Sequence, residues 1–164
     1  MSEEERVRVD SDALENFCVR LLQSMGVPDE DARITADVLV SADIRGTHSH
    51  GVARMRRYMN GLRNGMMIAE PKTEVVAETS TTLLVDGGGG LGQPVSYRAM
   101  AKAIEKAAEH GTGFATVRNS NHFGIAGYYA MMALEHDCIG ISMTNASVLV
   151  VPTFGRDAML GTNP

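Results

Sequence analysis

The chain has 164 residues, enough for one compact domain or for one large and one small. A chain of this length can bury roughly 68–70% of its unfolded surface, so it needs no disulfide or metal as a staple. Its formal net charge of -5 argues against a nucleic-acid partner, which calls for a basic surface, and it lacks the run of about 18 apolar residues that a membrane span requires.

The two cysteines, Cys18 and Cys138, both sit in apolar segments. Free thiols in a reducing compartment are the simplest account, so a cytoplasmic protein is expected. The opening MSEEERVRVD is charged, has no apolar core and reads as a frayed leader rather than a signal peptide. Ser11 or Asp12 can then cap a first helix with Leu14, Phe17, Cys18, Leu21 and Leu22 on one face, ended by Gly26. Pro28 opens a second, with Asp29, Glu30 and Asp31 where the helix dipole favours acids. It turns Ile34, Val38, Leu39 and Ala42 inward and stops at Gly46.

The stretch from 45 to 58, RGTHSHGVARMRRY, concentrates the polar chemistry. Ser49 can cap a third helix whose apolar stripe is Val52, Met55, Met59, Leu62 and Met66. His50, Arg54 and Tyr58 are spaced i, i+4, i+8 and share another face. Arg grips a carboxylate with two parallel hydrogen bonds, and the helix start beside Ser49 adds backbone donors. An anion site and a solvated basic face with a capping serine both fit. Three helices with short turns predict a helical subdomain over residues 1–70.

After Pro71 the pattern changes to strands at 73–79 and 82–86, a glycine loop, and a helix over 94–109. A strand at 113–117, a loop RNSNHFG, a helix at 124–136 and strands at 139–144 and 148–151 follow. Gly87, Gly89 and Gly92 satisfy GxGxxG between a strand and a helix, the setting of a dinucleotide fingerprint. That fingerprint also needs an acid at the end of the next strand, where this chain has Val117, Arg118 and Asn119. A flexible turn before a helix is the plainer reading. His122 lies between a strand and a helix, where α/β proteins gather ligands, and imidazole is the best available acid or base near neutral pH. It can equally cap the helix that follows. His48, His50 and His122 raise a metal reading, but no carboxylate or cysteine cluster supports it, and no metal is expected. Asn145, Ser147, Thr162 and Asn163 are strand-end groups able to bind an amide or carboxylate, and ordinary turn formers too.

Taken together, ADIRGTHSHGVARMRRY (42–58), DGGGGLGQ (86–93), RNSNHFGIAGYYA (118–130), GISMTN (140–145) and VPTFGRDAMLGTNP (151–164) resemble the type-2 malate/L-lactate dehydrogenase family. They stand in the family's order, from the first helix to the last residue. The resemblance implies an α+β fold: a helical N-terminal part, then a non-Rossmann, largely antiparallel sheet domain with helices, begun at 71–164 and cut short. It implies transfer of a hydride between NAD or NADP and a small 2-oxo or 2-hydroxy acid, in a homodimer. His122 matches the catalytic histidine. Ser49, His50, Arg54 and Tyr58 match the substrate-pocket helix. Thr162 and Asn163 fall in the segment near the nicotinamide. Ala146 stands where some members carry a cofactor-binding serine, which Ser147 can replace beside Asn145. Family members are about twice this length, so a catalytically inert dimerisation or ligand-binding module is the alternative.

Overall fold

The computed structural model of the protein describes residues 8–164, so most of the expected leader lies outside the described residues. Helix α1 is Ser11–Gln23 and α2 is Asp29–Ile44. The cap of α1 is Asp10, one residue earlier than expected, because its carboxylate reaches the Ala13 N–H at 2.9 Å. Cys18, Val19 and Leu22 point inward while Phe17 stays 52% exposed. Left-handed glycines at 26 and 46 end both helices as the sequence predicts.

The third helix departs from expectation. Its first residues form two 3-10 turns, His48–His50 and Val52–Arg54, and α3 proper is Met55–Arg63. Ser49 therefore caps no α-helix. The cause is Asp43, near the end of α2. One carboxylate oxygen accepts the Val52 N–H at 2.8 Å and the other meets His48 Nδ1 at 3.0 Å, which pins the turns to α2. At the far end Gly65 is left-handed and breaks the stripe, so Met66 is exposed and Met67 is buried in its place. One core cluster joins α1, α2 and α3 through Cys18, Leu22, Leu39, Met55 and Tyr58, and also takes in Met67 and Leu91.

Strands β1 (Glu74–Glu78), β2 (Thr82–Asp86) and β3 (Phe114–Arg118) form one sheet in that order. β1 and β2 are antiparallel, β2 and β3 parallel. Helix α4, Gly92–His110, makes the parallel crossover and packs Val95 and Ala99 on Leu83 and Val85 of β2. Arg98 of α4 ties it back to α2 through Asp31 at 2.5 Å and Glu30 at 3.2 Å. Helix α5, Ala126–Met132, runs on into a 3-10 turn, Ala133–His136. Helices around a small mixed sheet make an α+β fold.

The two apolar segments expected as further strands do not pair into a sheet. Beyond His136 the one ladder contact among the described residues is an antiparallel bridge between Val150 and Leu160. Ile139, Ile141 and Met143 are 92%, 69% and 69% exposed. A strand is defined by the edge it pairs with, and these residues meet none here.

Candidate functional site

Two loops leave the carboxyl ends of the parallel pair β2 and β3, and they build the site together. The first is the glycine loop. Its four backbone N–H groups are all engaged within the chain: Gly87 with Arg118 O (2.9 Å), Gly88 with the Asp86 carboxylate (2.9 Å), Gly89 with Asn119 O (2.9 Å) and Gly90 with Gly87 O (3.0 Å). Asn121 Nδ2 donates in return to Gly89 O and Gly90 O, each at 2.9 Å. The loop holds the second loop in place, and its four N–H groups from Gly87 to Gly90 are not free for a phosphate. Arg118 and Asn119 occupy the strand end where a ribose-binding acid was looked for, and both bond Asp86. Those bonds and the Gly88 N–H, the largest influence, keep the Asp86 carboxyl below its ordinary range.

The second loop carries His122. Gly92 lies against it so closely that a Cβ there would collide with the carbonyls of Asn121 and His122. From the other side α3 presents Tyr58, fully buried, with its hydroxyl 2.6 Å from His122 Nδ1. The Gly124 N–H points at the same nitrogen from 3.3 Å. Since a backbone N–H can only donate, Nδ1 is the acceptor, and neutral His122 carries its proton on Nε2. The His50 ring stacks on His122 with centroids 5.5 Å apart, and Ser49 Oγ lies 2.9 Å from His50 Nδ1. Arg54 Nε donates to Ser49 O at 2.6 Å, and its other N–H groups have no partner among the described residues.

Thus five sequence candidates, Ser49, His50, Arg54, Tyr58 and His122, come together. Tyr58 does so in an unexpected way: it is closed to solvent and touches His122, not an open pocket. The other four candidates behave differently. Asn163 Oδ1 accepts the Ala146 N–H at 2.8 Å, Asn145 lends its carbonyl to the Thr144 hydroxyl, and Ser147 and Thr162 are exposed. No recorded contact joins them to His122. His48 is turned aside to Asp43, so the three histidines do not converge on one point, and no metal-holding group of His, Cys, Asp or Glu occurs among the described residues. Sequence reading missed Asp43, which anchors the turns, and Gln93 and Arg57, which lie close to the Tyr58–His122 pair.

The electrostatics follow from this packing. Burial first, then the positive charges of Arg57, His50 and Arg54, push the His122 pKa down to about 4. Burial also lifts Tyr58 to about 12, against the pull of Gln93, Arg57 and Arg54. The site is therefore a neutral histidine beside the guanidinium groups of Arg57 and Arg54. Two surface concavities, of about 290 and 430 Å³, lie apart from it around Tyr97 and Tyr128.

Comparison with known proteins bears on this arrangement. The malate/L-lactate dehydrogenase family model matches residues 9–164. A malate dehydrogenase of Pyrococcus horikoshii is 53% identical over 162 residues, covering 99% of this chain and 45% of the relative. An L-sulfolactate dehydrogenase of Methanocaldococcus jannaschii is 46% identical over 146 residues, 89% of this chain and 42% of the relative. The solved structure of the P. horikoshii malate dehydrogenase superposes with a TM-score of 0.97 at 52% identity, covering all of this chain and 47% of that one. The chain spans about half the length of the curated relatives it matches. On the family match and these identities, it belongs to the malate/L-lactate dehydrogenase family.

Proposed function

We propose that this chain carries the carboxylate-binding and proton-transfer part of an NAD- or NADP-dependent oxidoreductase that interconverts small 2-hydroxy and 2-oxo acids. The observation that supports it is the convergence of His122 with Arg54 and His50, groups some 70 residues apart in sequence. Arg54 clamps the carboxylate with its free guanidinium nitrogens, which places the neighbouring C2 oxygen against the imidazoles. The Nε2–H of His122 then donates to that oxygen, and as negative charge develops the proton crosses to it while the Tyr58 hydroxyl passes its own proton to Nδ1 across 2.6 Å; the reverse direction runs both transfers back. Ser49 orients the His50 ring. Tyr58 acts on His122 rather than on the substrate.

A nicotinamide would exchange the hydride at C2. The N–H groups of Gly87 to Gly90 do not make a cradle for its phosphates, because they are already taken. The exposed groups of Asn145, Ser147, Thr162 and Asn163 are the candidates on this chain for contact with it. The substrate would be a small carboxylate of the malate or sulfolactate kind, matching what the relatives' names state, and the assembly a homodimer in the cytoplasm.

In the intact enzyme, His122→Ala should lower kcat by about 10²–10⁴-fold with cofactor affinity kept. Wild-type turnover in that variant removes His122 from the reaction. Arg54→Lys should raise KM for the acid, because an ammonium lacks the planar fork; an unchanged KM removes Arg54 from the carboxylate site.

One observation favours a second reading of the same site. Neutral His122 presents N–H at Nε2, so it can donate but cannot accept. His50, steadied at Nδ1 by Ser49, would then be the group that takes and returns the proton. Separate pH profiles of His50→Ala and His122→Ala decide this: the variant that loses the ionisation governing kcat/KM identifies the proton carrier.

A further inference from the structure

Gln93 lies in the first turn of α4 and is fully buried. Neither Nε2 nor Oε1 completes a hydrogen bond. A buried amide left unpaired is costly, whereas Leu or Met of similar size would fill the same space without that cost. The neighbour that gives the amide a purpose is Tyr58. Gln93 is the foremost group opposing the effect of burial on the phenol, the direction in which a nearby amide N–H acts. The packing agrees: Gln93 and Tyr58 are both shut from solvent, Leu91 on the same turn belongs to the core cluster of Tyr58, and Gly92 abuts the His122 loop.

The proton count at Tyr58 shows what that bond does. A phenol has one proton and lone pairs to accept with. Nδ1 of His122 is already an acceptor for Gly124, so the Tyr58 proton goes to it across 2.6 Å. The phenol oxygen is then left needing a donor in a closed interior. Gln93 Nε2–H, buried and without a partner of its own, is the donor available in that interior. Accepting from Gln93 polarises the Tyr58 O–H and strengthens its own donation to His122. The chain of contacts is rigid at its base, since the start of α4 abuts the carbonyls of Asn121 and His122 at Gly92.

We propose that Gln93 is a positioning residue: its amide N–H holds the Tyr58 hydroxyl toward His122 Nδ1 and so keeps the proton of neutral His122 on Nε2, facing the substrate. This rests on the reading of His122 as a group that meets the substrate oxygen. Gln93 touches neither substrate nor cofactor and acts through Tyr58.

The test uses the intact enzyme with Gln93→Met, Tyr58→Phe and the double variant. Gln93→Met should fold with an unchanged or higher melting temperature, keep KM for the acid, and lose roughly tenfold in kcat through a loosened imidazole. In the Tyr58→Phe background the same substitution should have no further effect, because the route from Gln93 to His122 is already cut. The ¹⁵N shifts of the His122 ring should show the Nε2–H tautomer in the wild type and a mixture in Gln93→Met. A full kcat and an unmoved ¹⁵N spectrum in Gln93→Met overturn the proposal. An equal loss of kcat with and without the Tyr58 hydroxyl overturns it too. Should Gln93→Met not fold, the wild type still decides, since an Nδ1–H tautomer there overturns the proposal without any variant. The ring spectrum needs no turnover, so a failure of Gln93 is distinct from a failure of the enzymatic reading, which His122→Ala tests.

Discussion

His122 shows how one side chain can be tuned by neighbours of a single sign. Burial and three positively charged or chargeable groups, Arg57, His50 and Arg54, all disfavour the imidazolium. The folded pKa of about 4 lies below the ordinary 6.5, so the unfolded chain binds the extra proton more readily. This contribution to stability is fully present above pH 6.5 and is lost as pH falls through 4. Denaturant titrations across that window should show acid destabilisation on the order of 1–2 kcal/mol, screened because the ring is only half-buried. The slope should shrink in His122→Gln; an unchanged slope assigns the effect to other groups. The same argument predicts a response to ligand. A small unreactive dicarboxylate seated on Arg54 cancels part of the positive field, so it should raise the His122 pKa, read by the ¹⁵N titration of the ring. A pKa unmoved at saturating dicarboxylate would separate the anion site from the imidazole.

At the scale of elements, the parallel β2–α4–β3 unit uses its glycines for packing. Gly92 is required because its missing side chain lets α4 begin against the His122 loop. Gly92→Ala would drive a methyl into backbone carbonyls that have no room to yield. It should cost about 1–3 kcal/mol or more and displace His122, lowering the melting temperature and kcat together. Gly127→Ala is the control, since a Cβ at that helical position meets open space; an equal loss in both would contradict the packing account. Much of this level was legible in the sequence. Apolar spacing and the glycines at 26 and 46 set the order and ends of the first two helices. The absent ribose-binding acid told against a dinucleotide loop, and the occupied N–H groups now supply the reason. Local pattern was insufficient where a distant group decided the outcome. Asp43 turned the expected start of a helix into 3-10 turns through a bond to Val52, nine residues away. Tyr58 and Gln93 have polar tips that read as surface chemistry, yet tertiary packing closes both off. The meeting of Arg54 with His122 came from family resemblance, because no periodicity links positions so far apart.

At the scale of the molecule, the described fold divides into a well-buried body and an apolar stretch that is not buried. The body runs from α1 through α4, with Leu22, Leu39 and Tyr58 shut from solvent. From residue 139 onward the chain alternates exposed Ile139, Ile141 and Met143 with partly covered neighbours, then exposes Leu149, Phe154 and Met159. The alternation is that of a strand, but among the described residues no backbone N–H from 139 to 143 finds an acceptor. Two of the expected nicotinamide contacts, Asn145 and Ser147, sit within it, and Thr162 and Asn163 close it. Hydrogen exchange of the 164-residue chain should therefore be slow in α2 and α4 and fast through 139–144, since solvent-facing amides open at little cost. In the intact enzyme the same amides should be protected by a paired neighbour, and NAD(P)H affinity should rise with that protection. Equal, slow exchange of residues 139–144 in both forms would mean that the segment orders itself unaided. The cofactor-contacting surface would then be complete within these residues, and saturable NAD(P)H fluorescence in the 164-residue chain should accompany it.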